Sequence, residues 1–195
     1  TTASNNTAVG RDALTANTIG FSNTAVGSLC LDAMVSGDYN VAIGTLSLST
    51  DTTGNKSTAI GYGALNVQNV TDGADMFNTA VGFSAGAAVT TGIRNTLIGA
   101  SAGDALTDAD ENEAFGYAAL STNVLGSASV AVGSFALNLQ NPASAVTMYN
   151  TAVGNGAGGA VTTGTNNTFV GGLAGDGTDD GTSNTAVGKG ALSAN

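Results

Sequence analysis

The stretch Asn6-Thr7-Ala8-Val9-Gly10 decides the fold, because it recurs eleven times, intact or with close substitutions, along the 195-residue chain. The copies are closed by Gly10, Gly27, Gly44, Gly61, Gly82, Gly99, Gly116, Gly133, Gly154, Gly171 and Gly188. Three steps of 17 residues are followed by one of 21, and the cycle then restarts, so the super-repeat is 72 residues long. A fixed short period over a whole chain predicts a stacked array, in which each unit contacts only its neighbours.

Each unit has room for two short strands and two turns. The fourth motif position is always apolar and mostly β-branched, which favours a strand. A second apolar pair follows in most units, as in Ala13-Leu14 and Ala64-Leu65, and we interpret it as a second strand. The sequence therefore predicts an all-β fold, a parallel β-solenoid of about eleven coils of 17 or 21 residues, in one continuous domain over residues 1–195. Asp108 to Leu120 would suggest a capped helix in isolation, but the repeat places a motif strand there.

Alternation along the motif strand predicts which residues are buried. Successive side chains of a strand point to opposite faces, so Val or Ile at position four is expected to fill the coil interior, together with Thr at position two. Alanine and glycine at positions three and five then form a bare face that another backbone can approach closely. We expect partner chains to pack on this Ala/Gly face.

Two kinds of substitution depart from the pattern. Leucine of the second apolar pair becomes glycine in four units, at Gly86, Gly103, Gly158 and Gly175. Those coils must be thinner, or must be filled from a neighbouring coil. Asparagine at position one becomes serine at Ser57 and Ser129, whereas the other asparagines are expected to stack and to hydrogen bond from coil to coil.

The super-repeat indicates a duplicated block of four coils. Asn78–Asp108 and Asn150–Asp180 resemble each other more than either resembles the adjacent units. The four extra residues fall in the same return loop, within Asn66–Phe77 and Asn138–Tyr149. With coils about 4.8 Å apart, these loops should protrude roughly every 19 Å and are candidate places for contact. No capping segment is evident, so we expect the chain to be part of a longer fibre.

Composition argues against several classes of partner. The net charge is −10, with four basic residues against fourteen acids, so the basic cluster that nucleic acid or an anionic membrane requires is missing. No apolar run is long enough to span a membrane, and no signal peptide is visible. Cys30 lies in a column of alanine and serine and is expected to be a small buried side chain. No residue pattern points to a cofactor.

The nine residues from Ser57 to Leu65 read Ser-Thr-Ala-Ile-Gly-Tyr-Gly-Ala-Leu, and this pattern at 17-residue intervals resembles the repeats of phage tail-fibre shafts. It is also similar to the head repeats of YadA-type trimeric autotransporter adhesins. The resemblance covers essentially the whole chain and implies a left-handed parallel β-roll, in which three identical chains pack around one axis. It further implies an extracellular shaft or host-attachment head on a virion or a bacterial surface, with a host glycan or protein as receptor and no catalytic residues.

Three aromatic residues are candidate receptor contacts. Tyr62, Phe83 and Tyr117 each follow the motif glycine, in a column that is otherwise largely polar. Exposed rings at repeated positions can stack on the sugars of a glycan. The structural alternative is packing between coils or between chains, which would use the large apolar area of the rings.

Two acidic segments are weaker candidates, for calcium. Their residues are Asp104, Asp108, Asp110, Glu111 and Glu113 in the first segment and Asp176, Asp179 and Asp180 in the second. Oxygen-rich loops can bind Ca²⁺, and the second segment is the candidate site. Solvated loops without a metal are the alternative.

Three other functions are alternatives to a fibre. A polysaccharide lyase or hydrolase would need a carboxylate pair, or an acid with Arg or Lys, on one face, and the four basic residues lie on distant coils, so an enzyme is not expected. A self-assembling extracellular filament of single chains is a second possibility. Ice binding would use the threonines at position two, but these are expected to face inward, and Val41, Glu113 and Val130 interrupt them.

Overall fold

The computed structural model describes residues 2–193, which contain strands, turns and irregular segments but no helix. The strands are β1 (Thr7–Val9), β2 (Thr24–Val26), β3 (Val41–Ile43), β4 (Thr58–Ile60), β5 (Thr79–Val81), β6 (Thr96–Ile98), β7 (Glu113–Phe115), β8 (Gly126–Ser127), β9 (Val130–Val132), β10 (Val146–Thr147), β11 (Thr151–Val153), β12 (Thr168–Val170) and β13 (Thr185–Val187). Within residues 2–193 we find no helix of the length and apolarity that crossing a membrane requires.

The strands confirm the predicted solenoid. Eleven of them form one parallel sheet in the order β1-β2-β3-β4-β5-β6-β7-β9-β11-β12-β13, and β8 pairs with β10 in a two-stranded sheet. Equivalent motif residues lie side by side, so Thr7 is opposite Thr24, and Thr58 is opposite Thr79 across the longer coil. The chain is therefore a parallel β-solenoid of about eleven turns, and the segment Asp108–Leu120 contributes β7 rather than a helix.

The predicted orientation of the motif strand is wrong. The alanines at position three line the interior, and Ala25, Ala42 and Ala59 are 0% exposed. The residues at position four face outward, so Ile43 and Val153 remain 38% and 37% exposed. The physical reason is the width of the coil, because leucines on the opposite turn fill the interior and leave space for only a methyl group on the strand.

The motif glycines do not form a face for partner chains either. From Gly10 to Gly171 each packs on the glycine of the next coil, and a Cβ added at Gly27 would lie 2.6 Å from the carbonyl carbon of Gly44. Gly27 also has a φ of +143°, a conformation that other residues rarely adopt. The glycine column is therefore a contact between backbones of one chain.

The second apolar pair forms a turn instead of the predicted second strand. Leu48 and Leu65 are fully buried, but both have a φ of 49°, in the left-handed region. Their backbone groups still join successive coils, since the N–H of Leu48 donates to the carbonyl of Ala64 at 3.1 Å. These left-handed residues bend the backbone sharply, which helps a coil to close within 17 residues.

The four coils that lack this leucine are filled from the strand, by a side chain that serves its own coil and the preceding one. Filling from a neighbouring coil, one of the two sequence alternatives, therefore holds for Gly86 and Gly158, whereas Gly103 and Gly175 are faced by a residue of their own coil. The facing residues are Leu97 with Gly86 and Gly103, and Phe169 with Gly158 and Gly175. Leu97 and Phe169 replace the usual alanine at motif position three, and both are fully buried. A Cβ at Gly103 would lie 2.7 Å from Cδ2 of Leu97, and one at Gly175 would lie 2.6 Å from Cγ of Phe169. One larger side chain on the strand thus occupies the space that two leucines would fill.

Cys30 occupies the alanine column of the same interior. It is a buried free cysteine whose Sγ donates to the carbonyl of Gly27 at 3.1 Å. Burial raises the pKa of its thiol, which keeps the group protonated. These observations agree with a structural role as a small buried side chain.

The asparagines at motif position one form the expected ladder in the corner that precedes the strand. Oδ1 of Asn40 accepts from the backbone N–H of Ser57 in the next coil at 2.9 Å. Its Nδ2 donates to the carbonyl of Gly54 in its own coil at 2.8 Å. Asn23 and Asn95 make the same two kinds of bond. Each buried amide therefore pairs two backbone groups that no strand reaches.

Where serine replaces this asparagine, a buried glutamine completes the ladder. Gln68 Nε2 donates to Oγ of Ser57 at 3.0 Å, and its Oε1 accepts from Nδ2 of Asn78 at 2.9 Å. Gln140 makes the corresponding bonds beside Ser129. This network is not among the features predicted from the sequence, although its signal is present there: a glutamine follows the serine by 11 residues in both 21-residue coils.

One carboxyl group, that of Asp51, lies in this buried network. Its Oδ1 accepts from the N–H of Gly54 at 2.9 Å, and its Oδ2 accepts from Nε2 of Gln68 at 2.6 Å. Burial raises the pKa of Asp51, and the hydrogen bonds oppose that shift only in part. The residue 72 positions later is Asn123, whose amide both accepts from and donates to Gly126.

Replacing Asp51 with asparagine should therefore stabilise the protein at neutral pH, by about 1 kcal/mol. Because the native pKa is raised, the unfolded chain binds fewer protons, so the stability of the parent falls as pH rises from the unfolded pKa through the native pKa. The advantage of Asp51→Asn should be absent in strong acid and complete at mildly alkaline pH. Denaturant unfolding across this range measures it, and Asn123→Asp should show the opposite sign. A variant less stable than the parent at mildly alkaline pH would contradict the prediction.

Candidate interaction surfaces

No enclosed pocket occurs in the part of the chain that the structure describes. The residues available to a partner lie instead on the outward face of the sheet, on the turns at either side of it, and on the loops of the longer coils. Each of these surfaces repeats along the solenoid, because the coils stack in register.

The outward face of the 11-stranded sheet is the most regular surface. We define the Thr/Val face as the first and third residues of β1 to β7, β9 and β11 to β13. Its third residues include the exposed side chains Val9, Ile43, Ile98, Phe115, Val132, Val153, Val170 and Val187. With strands about 4.8 Å apart, this apolar row is roughly 50 Å long. Glu113 is the one charged member of the face, and burial, followed by the charge of Glu111, raises its pKa.

The threonines at motif position two share this outward face, so the expectation that they point inward is wrong. Thr151 and Thr168, for example, lie opposite each other in register and are not buried. The row of threonines remains interrupted at Val41, Glu113 and Val130, as the sequence indicates. An ordered array of threonine beside an aliphatic row is therefore available to solvent.

Four rings form an aromatic row on the turn that follows the strand. Tyr62 and Phe83, from neighbouring coils, stack with their centroids 5.3 Å apart and their planes at 12°. Tyr117 and Phe135 pack edge to face with their centroids 5.2 Å apart. The three residues predicted from the sequence are 50–60% exposed, and Phe135 is 44% exposed. Phe135 was missed because it occupies the next motif position and reaches back to Tyr117.

A different aromatic pair lies on the turn that precedes the strand. Phe21 and Tyr39 pack edge to face with centroids 5.1 Å apart. Further along this corner, Lys56 Nζ lies 5.2 Å from the centroid of Phe77 and 2.6 Å from Oδ2 of Asp75. Exposed ion pairs of this kind contribute little stability. This corner therefore carries both charge and rings.

The extra residues of the longer coils form loops where the 21-residue steps predict them. Residues 71–73 and 143–147 are consecutive exposed positions. Near each of them the chain rejoins the solenoid, since Asn55 bridges Asp75 and β10 pairs with β8. The loops are thus held at one end by coil-to-coil pairing, and their tips are open to solvent.

The candidate calcium ligands are not brought together. Among residues 2–193 no three acidic, histidine or cysteine side chains are placed to hold a metal ion. The hydroxyl of Thr162 donates to the carboxylate of Asp179. In the first acidic segment, Asp110 accepts from the N–H of Ile93 at 2.8 Å and Glu111 pairs with Arg94 at 2.7 Å. These acids bind the preceding coil instead of converging on one point.

Three carboxylates of the super-repeat share an unusual environment. The Oδ1 atoms of Asp32, Asp104 and Asp176, at 72-residue intervals, are buried without a hydrogen-bond partner among the described residues. Burial raises the pKa of Asp32 and of Asp104. Among the described residues none of the three belongs to a group of side chains that could hold a metal ion, so the repeated position does not build a multidentate site.

Comparisons of the chain with models of known protein families, with curated proteins and with solved structures find no match.

Proposed function

We propose that this chain is a segment of an extracellular structural or adhesive fibre, in which three copies pack through their Thr/Val faces. The fibre is a rigid shaft or a host-attachment head, on a virion or on a bacterial surface. The observation that carries the proposal is the row of outward Val, Ile and Phe side chains that runs along the whole sheet. Soluble monomers rarely expose a contiguous apolar surface of this extent.

The chemistry of the face suits association between copies. Among its residues only Glu113 is charged, although the whole chain carries a net charge of −10. Burying the face against another copy therefore removes apolar area from water at about 25 cal/mol per Å² and desolvates few charges. The number of three rests on the resemblance of the repeat to tail-fibre shafts and YadA-type heads. The corrected orientation of the strand moves the packing surface from the Ala/Gly face to the Thr/Val face.

The subunit number tests the proposal directly. Sedimentation equilibrium should give three times the 18.8 kDa mass of one chain. Val132→Lys combined with Val153→Lys should shift the protein to monomer, because each buried charge without a partner costs several kcal/mol. Thr45→Lys, which places a lysine on the turn after the strand, is the matched control and should stay trimeric. A parent chain that is monomeric at micromolar concentration would refute the trimer.

Two other functions remain as alternatives. Ice binding gains support from the outward, in-register rows of threonine and valine, because a flat repeated array can match an ordered water lattice. A thermal-hysteresis assay on the same preparations distinguishes ice binding from the fibre. A monomeric chain that shows clear thermal hysteresis would support ice binding and refute the fibre. A polymer one chain wide, seen by electron microscopy, would indicate the self-assembling filament instead. The proposal contains no enzymatic step.

A further inference from the structure

We propose that the aromatic row of Tyr62, Phe83, Tyr117 and Phe135 is a binding platform for a neutral polysaccharide chain. This inference rests on the attachment role proposed above and names the ligand class for it. It does not depend on the number of chains in the fibre. Three observations carry it: the duplication of the chain, the spacing of the rings and the absence of charged residues at the two positions that follow the motif glycine in these coils.

The duplication shows that the coils do not need these rings. The residues 72 positions after Tyr62 and Phe83 are Ser134 and Asn155, and the residue 72 positions before Tyr117 is Thr45. Equivalent coils therefore close with small polar side chains at the same places. Tyr62, Phe83 and Tyr117 are therefore not required for packing, and because they stay 50–60% exposed they are available for a ligand.

The spacing of the rings suits a chain of sugar units. The Tyr62/Phe83 pair and the Tyr117/Phe135 pair are separated by a coil that contributes only Ala100 at the corresponding position. Phe83 and Tyr117 are two coils apart, which is roughly 10 Å. The side chain between the two ring pairs is the methyl group of Ala100, so no large side chain separates Phe83 from Tyr117. The apolar C–H face of a sugar packs on an aromatic ring, and the two pairs can hold successive units.

The surroundings of the row select an uncharged ligand. At the two motif positions after the glycine, no charged residue occurs from Ser28 to Leu173. The hydroxyl of Ser84 lies on the same turn and can hydrogen bond to sugar hydroxyls. The net charge of −10 repels acidic glycans. An open corner without a pocket suits an extended polymer better than a small molecule.

Affinity electrophoresis in native gels tests this inference. The gels contain galactomannan, hydroxyethyl cellulose or dextran as neutral probes and polygalacturonate as the acidic probe. We expect at least one neutral polysaccharide to retard the parent protein, and polygalacturonate to leave its mobility unchanged. Tyr62→Ser, Phe83→Asn and Tyr117→Thr install the residues of the equivalent coils, so folding should be preserved. Each should raise the dissociation constant about fivefold or more, and the triple variant should show no retardation.

Tyr39→Ser is the matched control, because Tyr39 belongs to an aromatic pair of similar geometry and is 54% exposed on the other corner. It should bind like the parent. No retardation by any neutral probe, retardation by polygalacturonate alone, or a triple variant that binds normally would each overturn the platform. A triple variant with a changed subunit number would also overturn it, because the rings would then pack chains together. Sedimentation of the same samples separates the two proposals: a trimer that binds no polysaccharide refutes only the platform, and a monomer that binds refutes only the trimer.

Discussion

Replacing Phe169 with alanine should destabilise the protein by about 3–5 kcal/mol, the usual range for a buried Phe→Ala change. Phe169 fills the interior of two coils that lack the leucine found elsewhere, and it is fully buried. Removing the ring leaves a cavity against Gly158 and Gly175, which have no side chains to close it. Because repeat proteins can open locally, amide hydrogen exchange over the last three coils should be measured together with denaturant unfolding.

A second substitution, Gly175→Leu, should restore part of the stability that Phe169→Ala removes. The three atoms nearest to a Cβ at Gly175 all belong to Phe169, so a leucine fits there only after the ring is removed. The φ of 72° at Gly175 lies in the same left-handed region as the φ of 48–55° at which leucines occupy this column in other coils. Gly175→Leu alone should destabilise, whereas Phe169→Ala with Gly175→Leu should recover more than half of the lost stability. If the double change is as unstable as the sum of the single changes, the compensation between strand and turn is refuted.

Asn40→Ala should cost about 2–6 kcal/mol, because it leaves two buried backbone groups unpaired at about 1–3 kcal/mol each. The groups are the N–H of Ser57 and the carbonyl of Gly54, which bond to the two ends of the same amide. Thermal and denaturant unfolding measure the loss. Asn40→Asp, which keeps the acceptor and loses the donor, should also destabilise.

Asn55 provides the matched control for this ladder. Its Oδ1 accepts from the N–H of Asp38 at 2.8 Å, and its Nδ2 donates to the carbonyl of Gly73 at 2.6 Å, on the exposed side of the coil. Water can replace those bonds, so Asn55→Ala should cost less than about 1 kcal/mol. Equal losses at Asn40 and Asn55 would show that burial of the amide is not what makes the ladder important.

The period of the sequence predicts the solenoid because hydrogen bonding between coils requires equivalent residues to recur at fixed intervals. The pattern within one coil was less informative. Alternation correctly separates Ala25 from the residues on either side of it, but it cannot say which side is the interior. The usual preference for burying the larger apolar side chain favours valine in the interior over alanine. The narrow coil reverses that preference, since Leu31 and its equivalents already fill the interior and only alanine fits opposite them.

The exposed surfaces could be predicted from the sequence only in part. The position of Tyr62, Phe83 and Tyr117 on one corner follows from the period alone, and the structure places them there. Phe135 joins them through a contact between adjacent coils, which a column-by-column alignment does not show. The Thr/Val face was assigned to the interior, so a face for partner chains was expected on the wrong side of the strand. The left-handed turn at Leu65 was missed because leucine is rare in that conformation.

The 72-residue duplication has a consequence for how such a chain can evolve in length. Residues 72 apart occupy equivalent places in the solenoid, including the Ser–Gln pairs and the large side chains that fill the glycine-containing coils. Unequal recombination between the two gene segments would add or remove four whole coils at once. At the junction, the asparagines and backbone groups of one coil would still lie opposite their usual hydrogen-bond partners in the next coil. The molecule would lengthen or shorten in increments of roughly 19 Å, with no intermediate that is misregistered.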